Sequence, residues 1–152
     1  MKPKLVVSAL AVAVATATVP ATVSAQQQTD PNAKATFVGK IKRTSKSKAT
    51  LKVTYQCSGG AALWVSAKQS ASGKKDARLT KEGSSKVASA WLQSHRGKFT
   101  CDGTSRTATF TIDKVEKGSK GKLKKGTAYV QFCVSKGEEE IVLYKTGWVT
   151  VA

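Results

Sequence analysis

The chain has 152 residues, with 26 lysines and arginines against 9 aspartates and glutamates, a net charge of +17, three cysteines and a single histidine. That length suits one domain with a sizeable core. One histidine and three widely spaced cysteines have none of the paired-ligand spacing of a zinc site, and no G-x-G-x-x-G run follows a strand-like segment, which argues against a parallel nucleotide-binding architecture.

The N-terminus reads as a cleaved export signal: Lys2 and Lys4, an apolar run over residues 5–19, Pro20, then the small residues Val23, Ser24 and Ala25. The run is too short and too rich in Ala and Thr for a membrane span, and no later stretch approaches that length. The expected division is a signal peptide over 1–25, a disordered leader over 26–34 and a single domain over 35–152. The leader, QQQTDPNAK, has no aromatic or branched aliphatic residue to give to a core.

From residue 35 onward the pattern alternates with period two, the mark of strands with one face buried. Phe37, Gly39 and Ile41 suggest a first strand. In the second, Leu51, Val53, Tyr55 and Cys57 share one face and Thr50, Lys52, Thr54 and Gln56 the other. Leu63, Val65 and Ala67 oppose Trp64, Ser66 and Lys68, which predicts the latter three toward solvent. Residues 87–94 read either as a strand or as a short helix capped by Ser84 or Ser85, with the strand favoured. Ala108, Phe110 and Ile112 mark the next strand, Ala128, Val130, Phe132 and Val134 another, and residues 140–151 a long last one with a bend or bulge expected at Gly147. About seven short strands separated by turn-forming segments predict an all-β fold, an immunoglobulin-like antiparallel β-sandwich.

An exported chain with three cysteines is expected to hold one disulfide and one leftover thiol. Loop-closure entropy does not choose the pair, because all pairings come within about 1 kcal/mol of each other. Strand parity favours Cys57 with Cys101: Cys57 points inward, Cys101 lies in the CDGT turn, and Cys133 shares its face with Tyr129, Gln131 and Ser135, away from the apolar set. Cys57 with Cys133, by analogy with the inter-sheet bridge of immunoglobulin domains, is the alternative. Cys133 is then a partly covered free thiol or the link in a disulfide-joined dimer.

Taken together, Tyr55-x-Cys57, LWVSAKQ (63–69), AWLQSH (90–95), FTCDGT (99–104), TATFTI (107–112) and AYVQFCV (128–134) resemble small secreted actinobacterial proteins of unknown function. The resemblance implies export and a disulfide-stapled β-sandwich, and it brings no active site with it.

Little chemistry is selected. His95 sits beside Arg96 in an expected exposed loop, no G-x-S-x-G nucleophile elbow is present, and GEEE (137–140) reads as a charged hairpin turn, so no catalytic residue, metal or cofactor is assigned. Charge is the strongest hint. Residues 31–75 carry ten basic side chains and no acidic one, and a second lysine cluster follows at 117–125. The candidate polyanion-binding residues are Lys40, Lys42, Arg43, Lys46, Lys48, Lys52, Lys68, Lys120, Lys122, Lys124 and Lys125, with Trp64 as a stacking platform. The expectation is a secreted, non-enzymatic module binding an extracellular polyanion: wall polymer, acidic polysaccharide or nucleic acid. The competing reading is a structural or protein-interaction module whose lysines keep a β-protein soluble and guard its edge strands.

Overall fold

A computed structural model describes residues 28–81 and 84–152. The expected signal peptide lies outside the described residues. Eight strands form one curled, mixed sheet in the order β5-β2-β1-β8-β7-β3-β4-β6: β1 Lys34–Ser45, β2 Lys48–Gln56, β3 Ala62–Gln69, β4 Ala90–Arg96, β5 Arg106–Ile112, β6 Lys114–Val115, β7 Gly126–Lys136 and β8 Glu140–Val151. Neighbours pair antiparallel except β1 with β8, which meet in parallel at Ile41 and Val151. The expectation of about seven purely antiparallel strands is corrected on both counts. The two-residue β6, too short to show a period, pairs with β4.

Each strand forms where small, branched and aromatic residues alternate with polar ones. In β2 the set Leu51, Val53 and Tyr55 is buried, and Cys57 just beyond it is 1% exposed. With Phe110 of the neighbouring β5 they meet β7 across the curl: Tyr55, Phe110 and Phe132 form a ring cluster with centroids 5.4–6.0 Å apart. Tilted and edge-on rings at that spacing add about 0.5–1.5 kcal/mol per pair beyond their burial. The Tyr55 hydroxyl donates to the Thr100 carbonyl at 3.1 Å, so the ring is buried without stranding its polar end.

Switching β1 between two partners depends on a bulge. Val38 pairs with Lys52 and Lys42 with Thr50, so three residues of β1 span one of β2. Gly39 takes φ +71° at that point, a conformation costly for any residue with a Cβ. Past the bulge Ile41 is fully buried and its carbonyl accepts from the Ala152 N–H at 3.0 Å. The expected bulge at Gly147 is instead displaced: in β8 the register shifts between Leu143 and Ile141, leaving Ile141, Val142 and Leu143 all buried. Gly147 serves close approach, since a Cβ there would lie 3.3 Å from the Phe37 ring.

Cys57 and Cys101 form the disulfide, their Cα atoms 4.9 Å apart. Around it Gly59 N–H donates to Cys101 O and Gly103 N–H to Cys57 O, so the two turns are laced together beside the bond. The segment expected to be a mobile leader is tied down from Gln28 onward. Thr29 N–H donates to Ile141 O at 2.8 Å, Tyr144 N–H to Gln28 Oε1 and Ser58 N–H to Asp30 Oδ2. These are main-chain partners that hydrophobicity along the sequence does not reveal.

Residues 70–89 contain two short 3-10 turns, Ala77–Thr80 and Ser84–Lys86, before β4 begins at Ala90. The favoured reading of residues 87–94 as a strand holds from Ala90 onward, and no helix runs through Ala88, Ala90 and Leu92, the 3-10 turn at Ser84–Lys86 ending before them. Leu79 and Ala88 from this segment bury against Tyr129, with Val87, Trp91 and Trp148 packed around them. One end of the outer face of β8, β7, β3 and β4 is thereby covered.

Candidate functional site

The bulge in β1 also builds a surface feature. On the outer face of β5, β2 and β1 a depression of about 430 Å³ is lined by Lys40, Lys42 and Lys52, with Val38, Gly39 and Thr109 beside them. Lys52 reaches it because it pairs with Val38 on one side and Thr109 on the other. The extra residues bring Lys40 and Lys42 to the same place, and all three lysines are exposed. None of the lining residues is acidic. The rest of this face is hydroxyl-rich: Thr54 and Thr107 hydrogen-bond across β2 and β5 at 2.7 Å, and Thr109 and Thr111 continue the row along β5.

The other basic candidates stand apart from this depression. Arg43 is exposed, with Nε donating to the Ala152 carbonyl at 2.6 Å. Lys46 and Lys48 project from the β1–β2 turn. Lys120, Lys122, Lys124 and Lys125 are exposed on the segment between β6 and β7, which is pinned by buried Leu123 and by Gln69, whose side chain exchanges hydrogen bonds with both the N–H and the carbonyl of Lys124. Lys68 is corrected outright. It is 2% exposed with Nζ 4.2 Å above the Trp91 ring, and a covered ammonium is not available to a polymer. The cause is that Leu79, Val87 and Ala88 pack over this face beside Tyr129 and Trp91, on strands paired on both sides, so that the second face is not solvent.

Trp64 is likewise separated from Lys52, since it lies on β3 in the opposite part of the curl. Its indole N–H donates to Gln93 Oε1 at 2.8 Å, and Gln93 in turn donates from its amide to Glu116. His95 is exposed on β4, not in a loop, with its ring 6.3 Å from that of Trp64. Cys133 faces outward as expected and is partly covered, and burial pushes its thiol up from the ordinary range. Asp102, in the disulfide turn, accepts from Thr104 and Arg106, and those donors, Arg106 first, hold its carboxyl well below the usual range.

Among the described residues no group of three or more histidines, cysteines or carboxylates gathers as a metal site, and no helix is long and apolar enough to cross a membrane. No protein-family model matches this chain, and no match to it is found among curated proteins. The signal that sequence reading missed is Gly39: a glycine between the apolar Phe37 and Ile41, followed by lysines one and three residues later, is what a bulge that gathers charge looks like.

Proposed function

We propose that this chain is a secreted, non-enzymatic binding module whose β1–β2–β5 face takes anionic polymers, on a fold read as an immunoglobulin-like sandwich. The observation that carries the function is the acid-free depression formed by Lys40, Lys42 and Lys52. Three lysines lining one concave surface attract an anionic chain by long-range electrostatics and bind it with release of its counterions. Lysine rather than arginine in all three places favours a diffuse contact with polymer charge over bidentate recognition of one group. The sandwich reading rests on β1 being shared between β2 and β8 and on Tyr55 and Phe110 packing across onto Phe132. Export is in keeping with the Cys57–Cys101 bridge, a bond that persists in oxidising compartments.

The competing reading, lysines for solubility in a structural module, is favoured by Lys46, Lys48 and the 120–125 group, which are exposed but line no part of the depression. Dimerisation through Cys133 has the partial cover of its thiol against it. Chromatography on heparin and on immobilised single-stranded DNA separates the two functional readings. Retention at low salt is expected, and replacing Lys40, Lys42 and Lys52 together by Gln should lower the slope of log affinity against log salt by about 2. The same replacement at Lys120, Lys122 and Lys125 should change it less. Absence of retention, or equal loss from both triple variants, would sink the proposal.

A further inference from the structure

The outer face of β8, β7, β3 and β4 is covered at one end by Leu79, Val87 and Ala88 and open at the other. The covered end is the row in which Trp91, Lys68, Tyr129 and Trp148 lie side by side, and four residues along β3 comes the row of His95, Trp64, Cys133 and Tyr144. At that open end is a depression of about 660 Å³, lined by Trp64, His95, Cys133, Ser135 and Glu138 among others. It lies on the side of the fold away from the Lys40 depression and differs from it in chemistry.

We propose that this second depression is a binding site for a neutral sugar ring. A pyranose presents C–H groups on one face, suited to an aromatic surface, and hydroxyls around its edge that need both donors and acceptors. Trp64 supplies the aromatic surface in a fixed pose. Its N–H is satisfied by Gln93, which Glu116 orients, so the indole is held by the protein and offers the ligand its carbon framework. His95 and Ser135 supply groups that donate or accept, and Glu138 an acceptor from the β7–β8 turn. The volume falls within the range of small-ligand sites. The lining carries one arginine, Arg96, against one glutamate, Glu138, so opposite charges offset each other here, which distinguishes this site from the acid-free lysine face.

Cys133 lines the same depression and is the only cysteine outside the disulfide, so it reports on occupancy without any added label. The probes are maltotriose, cellotriose and triacetylchitotriose at millimolar concentration, followed by the indole N–H resonances in nitrogen-edited NMR and by the rate of Cys133 alkylation. At least one probe should shift the Trp64 indole saturably, leave the Trp91 indole in place and slow the alkylation. The effect should persist in high salt, where the binding of polyanions to the lysine face fails, so the two sites are tested apart. Trp64→Ala should raise the apparent Kd about tenfold, as loss of one ring stack requires, with partial rescue in Trp64→Phe. Glu138→Gln, in an exposed turn, should weaken binding severalfold without touching the fold. Failure of all three probes, disappearance of the effect in high salt, or unchanged affinity in Glu138→Gln and Trp64→Phe alike overturns the assignment.

Discussion

Removing the disulfide by Cys57→Ala with Cys101→Ala tests the account of what holds the two turns together. The bond closes a loop with a sequence separation of 44. In the chain-entropy model that constrains the unfolded ensemble by about 4 kcal/mol. A domain of this size has a total stability of about 5–15 kcal/mol, so the loss takes a quarter of it or more. The hydrogen bonds from Gly59 to Cys101 and from Gly103 to Cys57 are made by main-chain atoms that survive the substitution, whereas the Gly60 N–H loses its contact with Cys101 Sγ at 3.2 Å and the buried Cys57 site loses its sulfur, so native contacts add to the cost. Urea unfolding followed by tryptophan fluorescence should show the midpoint falling by about 2 M. The wild-type protein in reductant should fall similarly, while Cys133→Ser should leave the midpoint nearly unchanged. A difference under about 1 kcal/mol between the double variant and wild type would refute the reasoning, since it would mean that the unfolded chain is not constrained by the bond.

Two further outcomes concern positions near the ends of the fold. Gly126 has φ +146°, and a Cβ there would stand 2.3 Å from the Gly73 carbonyl oxygen, the acceptor of the Thr127 N–H at 2.8 Å. Gly126→Ala should therefore cost at least about 2 kcal/mol by chemical denaturation, and a cost near zero would show that the close approach of the start of β7 to the loop at Gly73 is not maintained in solution. Asp102 is held ionised by Arg106 and Thr104, so its contribution to stability is present above its ordinary pKa near 4 and is lost as pH falls toward the lower folded value. Asp102→Asn should be less stable than wild type at neutral pH, with the gap in thermal midpoint closing on acidification; a gap independent of pH would exclude the carboxylate as its source.

The alternation of β2 was enough to name its buried face, because period two in a half-buried strand is a direct consequence of backbone geometry. The same parity placed Cys57 inward and Cys133 outward, and with that the Cys57–Cys101 pairing was legible. For β3 the identical reasoning failed at Lys68. Parity distinguishes two faces but says nothing about what lies over the second one, and here Leu79, Val87 and Ala88 return to cover it. Gly147 failed for a related reason. A glycine in a strand marks either a bulge or a close approach, and only the neighbouring Phe37 ring shows which.

For the candidate sites the division is sharper. The excess of positive charge, its concentration before residue 75 and the all-β pattern are properties of the chain as written, since each depends on residue identity and local spacing alone. Which lysines converge was decided by the fold. The bulge at Gly39 brings Lys40 and Lys42 to Lys52, ten residues further along, while Lys68 goes under cover and Trp64 to the opposite part of the sheet. Local sequence sets how a strand alternates, but convergence of side chains from separate strands depends on register, curl and the path of distant loops, which exist only once the tertiary structure has formed.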